Sequence, residues 1–413
     1  MRRVVVTGLG IVSSLSCSAQ DAVVALRTGR SGIIHMPEMA DLGLKCQVCA
    51  PVRGFDRSVL PKRCIQTGSM AAQYATAAAL QAIHDASLAT EDLQNERTAV
   101  IVGSMLGGIN DVSRTEQALL AKTPVSRLGG TAVVKIMNST AAGNLAAHLG
   151  IGGRSYSISS ACSTGLDNIG HAFELIAQGV QDVCICGATE EDCWRQLGPF
   201  YDNWNGMPAN YNDRPSQACR PYDRDRSGMV LSAGAGIIVL ETLSRAQQRG
   251  VHVYAEIVGY GSANDGSDMF APNGKGSARS ARQSLDAATR LGVGRIDYVN
   301  THGTATKIGD KVEIALLKDL FPTDPPLVSS TKALSGHAMA AAGAIETVFT
   351  LLMLDHGFVC ATANLENIDP DCEGVPHVLS LVEKKIQTAL KLSLGLGGTN
   401  ASLIFRRLGN AYH

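Results

Sequence analysis

The sequence predicts an α/β protein with largely buried sheets, and three observations carry that reading. Apolar runs of strand length alternate from end to end with longer runs of helical spacing. The strand runs are apolar on both faces, as strands covered by helices on either side must be. Glycine supplies 43 of 413 residues, which implies many tight turns and close backbone approaches.

Taken in order, Arg3–Thr7, Ala99–Gly103, Ser155–Ser159, Val183–Gly187 and Gly236–Glu241 read as strands of a first half. Ala255–Tyr260, Tyr298–Asn300, Leu327–Ser329, Lys391–Leu394 and Ala401–Phe405 read as strands of a second. Helical spacing runs over Thr67–Ala86, Thr140–Leu149, Leu166–Ala177, Ser277–Leu291, Lys311–Lys318 and Ala340–Asp355. Each half opens on a β-rich apolar segment. The chain is therefore expected to be an internal duplication, residues 1–245 and 246–413, although no strong sequence repeat marks it. Residues 195–222, rich in Pro, Asn and Tyr, read as an extended loop of the kind that covers a site.

Charge and composition exclude several classes. A formal net charge of −1 gives no general attraction for nucleic acid or membrane surfaces. No stretch approaches about 18 uninterrupted apolar residues, so no membrane span is expected. The N-terminal apolar run is too short and Gly-rich for a secretion signal. Eleven cysteines lie scattered without disulfide spacing, which suits reduced thiols and a cytoplasmic location. Cys46 and Cys49 have the spacing of half a zinc site, but no second pair follows, so no metal is expected.

One cysteine stands apart. Cys162, in YSISSACSTG, falls between a strand-like run and a helical one, among small residues that leave room for an acyl group. A thiol at the first turn of a helix feels unpaired N–H groups and the positive end of the macrodipole, so thiolate is expected there. The plainer alternative is a buried structural cysteine. Two distant loops match it: His302 in VNTHGTATKIGD and His337 in STKALSGHAMAAAG, each beside a glycine and just past a strand. Either histidine alone would read as an ordinary core or surface residue. Together with Cys162 and Lys332 they suggest acyl transfer through a thioester, with one imidazole more than hydrolysis needs. The surplus donor suits a second substrate whose carbonyl is polarised as carbanion character develops.

These motifs, in this order and with GLGGTNASLIF near the C-terminus, resemble the elongating β-ketoacyl-acyl-carrier-protein synthases of the type I/II branch, within the thiolase-like superfamily. The resemblance spans essentially the whole chain. It implies a thiolase-like five-layered α-β-α-β-α fold built from two duplicated halves. It also implies decarboxylative condensation of an acyl chain held on Cys162 with malonyl-acyl carrier protein, in fatty acid or related polyene or polyketide elongation. By the same resemblance His302 and His337 bind the malonyl thioester carbonyl, and Lys332 and Glu313 form a supporting ion pair, with Asp310 in the same loop. Thr304 and Thr306 contact the phosphopantetheine arm, and the N–H groups of Cys162 and Leu396 form the oxyanion hole. No cofactor is implied, because the phosphopantetheine arrives on the carrier protein. By the same resemblance Lys62 and Arg63 match a carrier-docking position, and Arg127, with Lys122 beside it, matches a second patch. A homodimer, or a heterodimer with a related ketosynthase-like subunit, is implied.

A degradative thiolase would need a second cysteine in the C-terminal glycine loop, where this chain has none, and initiating synthases pair His with Asn. A non-catalytic chain-length partner typically lacks the reactive cysteine; an acyl hydrolase or acyltransferase using Cys162 is a further alternative. Departures from the family pattern bear on the substrate. Leu394 and Leu396 stand where two phenylalanines are usual, Leu396 at the gate of the acyl pocket. Leu392 replaces an asparagine near a cation site of some relatives, and Ser227 replaces an acidic residue. Met105 and Leu106 are expected near the pocket.

Overall fold

The computed structural model describes residues 1–408. Ten strands make the main sheet: β1 (Val4–Ser13), β2 (Thr98–Gly103), β3 (Ser155–Tyr156), β4 (Val183–Glu190), β5 (Gly234–Thr242), β6 (Ala255–Asn264), β7 (Tyr298–Asn300), β8 (Leu327–Ser329), β9 (Thr388–Gly395) and β10 (Thr399–Arg406). Their order across the sheet is β8-β7-β9-β10-β6-β1-β5-β4-β2-β3. The first five strands in sequence therefore occupy one side and the last five the other. Within the main sheet, among the described residues, the two sides join where Val5 and Val6 of β1 pair with Glu256 and Ala255 of β6. This short contact makes the two sheet layers continuous.

Six helices complete five layers: α1 (Met70–Asp85), α2 (Thr140–Leu149), α3 (Thr164–Ala177), α4 (Lys275–Arg290), α5 (Gly309–Leu320) and α6 (Ala342–His356). Helices α1 and α2 cover the outer face of the first half, while α4, with α5 beside it, covers the second. Between the halves lie α3 and α6, each touching strands of both. Helix α6 is buried all round, with thirteen buried residues from Ala342 to Leu354, Glu346 the one charge among them. The segment Met339–His356 is long and apolar enough to cross a membrane by length and composition, although Glu346, Thr347 and Thr350 interrupt its apolar run. It is 89% buried inside the fold.

Close backbone approach sets both kinds of helix–sheet and helix–helix contact. The sequence suggests that β1 ends at Thr7, before Gly8 and Gly10, yet it continues to Ser13 because alanine-rich α1 lies against it there. A Cβ on Gly10 would stand 1.8 Å from the carbonyl oxygen of Ala78. In the middle layer, a Cβ on Gly165 would stand 2.4 Å from the backbone N of Ala344, so α3 and α6 cross nearly in backbone contact.

Other boundaries shift for local reasons. The helix expected over Thr67–Ala86 is two, Lys62–Thr67 and α1, because Ser69 caps α1 through the N–H of Ala72. Strand β3 keeps two residues of five, since side chains take over the backbone groups that follow. The 195–222 region is not all loop: Trp194–Asn203 is helical, with short turns after it. Strands β7, β8 and β9 run parallel, so their C-terminal ends deliver the His302, Lys332–His337 and Leu396 loops to one edge of the sheet.

Candidate active site

Cys162 owes its position to a chain reversal built by side chains. Asn168 accepts from the N–H of Ile158 at 3.2 Å and donates to its carbonyl at 2.9 Å, and Thr164 Oγ1 accepts from Ser160 N–H at 2.8 Å. Ala161 then adopts φ 50°, a left-handed conformation that a residue with a Cβ rarely takes. The bend lifts Cys162 into the single turn Ala161–Ser163 ahead of α3. The N–H groups of Cys162 itself and of Leu396 reach its sulfur, the two donors expected of an oxyanion hole.

The thiolate expectation fails. Burial pushes the Cys162 thiol up to about 11, outweighing the Leu396 N–H, the Lys332 charge and its own N–H, while Glu190 adds to the rise. A helix N-terminus stabilises thiolate only where water or a counter-charge helps, and here the sulfur is enclosed.

A ring nitrogen from each of His302 and His337 and the Cys162 sulfur all lie within 4.8 Å of one another. The two rings stand edge to face, centroids 5.2 Å apart. His337 Nδ1 accepts from the N–H of Met339 at 3.2 Å, which leaves the ring proton on Nε2. Burial and the Lys332 charge hold both imidazoles well below their ordinary range, with Lys391 adding to the effect. Both rings are therefore neutral hydrogen-bond donors. Cysteine and histidine are also zinc-ligand types, and these three ligand atoms lie close enough together to hold a metal ion.

The supporting ion pair is not the one expected. Lys332 Nζ meets Glu346 Oε1 at 2.5 Å, and Lys391 Nζ meets the other carboxylate oxygen at 2.7 Å, all three side chains buried. Glu313 is occupied elsewhere: it accepts the N–H groups of His302 at 2.6 Å and Gly303 at 2.8 Å, with the Tyr222 hydroxyl 2.9 Å away. It thus shapes the His302 turn directly, lying beneath the peptide rather than facing the ammonium. Burial lowers Lys391 to about 8 against the pull of Glu346.

Asp310 accepts the N–H of Tyr222 at 2.8 Å and lies 3.4 Å from Arg226 Nε; burial raises it to about 7. The fully buried Arg226 donates to the carbonyls of Thr306 at 3.0 Å and Lys307 at 3.1 Å, which fixes the loop after His302. A cavity of about 1000 Å³ opens above the triple, lined by Thr304, Thr306, Leu394 and Leu396 among others. Tyr201, Trp204 and Met207 from the 195–222 segment also line it, and Trp204 packs edge-on against Phe270 with centroids 4.9 Å apart.

Met105 and Leu106 do not line that cavity. Their N–H groups bond Glu190, at 3.0 and 3.4 Å, and their side chains pack beside the Trp194 cluster. Lys62 and Arg63 are exposed on the helix Lys62–Thr67, and Arg127 and Lys122 are exposed near each other in sequence. Sequence reading missed Glu346, Lys391, Tyr222 and Arg226. Lys391 carried a usable signal, a lone charge inside the apolar run TALKLSLG.

A protonated resting thiol has a direct consequence. Iodoacetamide alkylation of Cys162, followed by peptide mapping, should keep accelerating with pH towards an inflection at about 11. A plateau reached below roughly pH 8 would instead reveal a resting thiolate.

Comparison with known proteins agrees with this geometry. The family description Beta-ketoacyl synthase, N-terminal domain, matches residues 1–246, and Beta-ketoacyl synthase, C-terminal domain, matches residues 254–366. The chain is 39% identical to 3-oxoacyl-(acyl-carrier-protein) synthase 1 of Escherichia coli, over 99% of this chain and 100% of that protein. It is 37% identical to 3-oxoacyl-(acyl-carrier-protein) synthase 2 of Vibrio cholerae, over 98% of this chain and 99% of that one. A solved beta-ketoacyl synthase from Burkholderia phymatum superposes with a TM-score of 0.93 at 31% identity, covering 99% of this chain and 100% of that one. The ishigamide ketosynthase/chain length factor gives 0.91 at 31% identity, with the same coverage. Matched by both halves of one family and by relatives along nearly its full length, this chain belongs to the beta-ketoacyl synthases.

Proposed function

We propose that this condensing enzyme elongates an acyl chain held on Cys162 with malonyl-acyl carrier protein. The observation that carries the reading is the enclosed triple of one thiol and two neutral imidazoles at the base of a long cavity. Loading is proton-neutral: the Cys162 sulfur bonds the acyl carbon, the carrier's thioester breaks, and the thiol proton leaves on the pantetheine sulfur. No resting thiolate is needed.

In the second step the malonyl C–C bond breaks, carbon dioxide departs, and the electron pair moves into an enolate. Its oxygen sits between His302 and His337, whose neutral N–H groups stabilise it without protonating it. The enolate carbon attacks the acyl-Cys162 carbonyl, and the N–H groups of Cys162 and Leu396 hold the resulting oxyanion. Collapse expels the Cys162 sulfur as thiolate, β-ketoacyl carrier protein leaves, and one proton from solvent restores the thiol, so the condensation consumes one proton overall. Thr304 and Thr306 border the pantetheine arm, and no cofactor enters any step. Asp310, through Tyr222 and Arg226, and Glu313 hold the His302 loop.

Lys62, Arg63 and Arg127 form the docking charges for an acidic carrier, an attraction that weakens with salt. Residues 1–245 and 246–413 act as the two halves that carry the nucleophile and the histidines. We place the protein in the cytoplasm as a homodimer. The edge strand β3, unpaired among the described residues, is open to pairing, and the apolar side chains of Leu120 and Val125, each 77% exposed, offer a face for a second copy to cover.

The half-reactions test this assignment. Cys162→Ala should abolish acyl loading and condensation, read by intact-protein mass spectrometry. His302→Ala and His337→Ala should each cut carbon dioxide release from malonyl carrier protein by about 10²–10³-fold while impairing loading less. Equal loss of both half-reactions would make one histidine the base for Cys162 instead.

Leu396→Phe should change the kcat/KM ratio between short, medium and polyunsaturated acyl carriers, by a few-fold to about a hundredfold. An unchanged ranking would remove Leu396 as the gate.

Leu120→Asp combined with Val125→Asp should give a monomer by light scattering, where the native chain gives a dimer. A native monomer, or a dimer that tolerates both aspartates, would rule out this face.

A further inference from the structure

The reaction as written gives Lys391 no role, yet its ammonium lies fully buried beside both histidine-bearing segments. Its neighbours along β9 are apolar, and a buried ammonium is costly unless oxygens surround it. Three do. Lys391 Nζ lies 2.7 Å from Glu346 Oε2 and donates to the carbonyls of Thr301 at 3.2 Å and Leu392 at 2.6 Å, one oxygen for each proton.

Those oxygens come from three separate parts of the site. Thr301 immediately precedes His302. Glu346 belongs to α6, which follows His337 and crosses the helix of Cys162 at Gly165. Leu392 lies four residues before Leu396, on the strand that presents the oxyanion N–H. Across the ladder, Lys391 is in register with Asn300, so its Cα sits at the root of the His302 loop.

We propose that Lys391 is a positioning residue: a tethered cation that registers the Thr301–His302 peptide, the Glu346 helix and the Leu396 strand against one another. Its charge also adds to that of Lys332 in keeping both imidazoles neutral. This inference rests on the condensation reading above. A neutral side chain of the same length could fill the space, but it would leave Glu346 one cation short and two carbonyls without donors. Truncation, by contrast, would leave a cage of oxygens with the chemistry to take a small cation.

That cage allows a chemical test. Lys391→Ala should lower decarboxylation of malonyl carrier protein by about 10²-fold, the scale of a small misplacement of reacting groups. Ammonium or methylammonium should restore at least about a tenth of native activity in a saturable manner, while tetramethylammonium at equal ionic strength should not. Lys391→Met, which fills the cage with an uncharged chain, should be impaired and indifferent to all three salts. If Lys391→Ala folds only with ammonium present, its melting temperature should show the same cation selectivity, which also supports the assignment. Full activity of Lys391→Ala overturns it, as does a folded, inactive variant that ammonium does not restore, or one unfolded with and without ammonium. Failure of the native enzyme to condense at all would sink the functional reading instead.

Discussion

Glu346 held between Lys332 and Lys391 is the interaction on which the rest of the site depends. Burying three charges is expensive, and removing one partner would leave an uncompensated ion, a loss on the order of 3–5 kcal/mol. The arrangement persists because each charge belongs to a different piece of the fold: the loop after β8, the strand β9 and the middle-layer helix α6. Helix α6 in turn crosses α3 at the Gly165–Ala344 contact, directly behind Cys162. The ion triad and Cys162 therefore share one rigid crossing. Glu313 does parallel work on the other side, holding the His302–Gly303 turn through two N–H groups.

Low solvent access gives the site a common chemical character. Burial lowers both histidines and raises Cys162, so each sits in its uncharged form, while Glu190 behind Cys162 rises to about 8. Neutral imidazoles can stabilise a developing enolate by donation without quenching it as a carbon acid. A thiol of high affinity for its proton is a poorer resting nucleophile, yet transthioesterification returns that proton to the leaving sulfur. The cost of enclosure is thus avoided in loading, which is proton-neutral, and met in condensation, where the expelled thiolate takes up one proton. It also leaves Lys332 and Lys391, with their shared carboxylate, as the fixed electrostatic frame.

Much of this was readable along the chain because several roles are local. A cysteine after a strand and before a helix, histidines flanked by glycine after strands, and a glycine-rich turn at Leu396 all announce themselves within about ten residues, by the same logic that places ligands at strand ends. The alternation of strands and helices likewise gave the α/β class, the resemblance implied the five layers, and the two middle helices were found within two residues of their ends. Boundaries failed where a side chain replaced the ladder, as at Ile158, or where a second element covered a glycine, as at Gly10. Met105 and Leu106 failed because which way a loop turns depends on Glu190, a residue on another strand.

The sequence by itself determined the alternating α/β class and singled out Cys162, His302 and His337 as candidates, since each shows in short-range pattern and residue type, while the layering and the Cys162 and Leu396 N–H pair followed from the family resemblance of its motifs. Only the tertiary structure decided which carboxylate Lys332 meets, that Lys391 joins it, and that the thiol rests protonated. Ion pairing depends on distances between segments far apart in the chain, and a pKa depends on how completely water is excluded. Neither quantity exists until the layers have closed around Cys162.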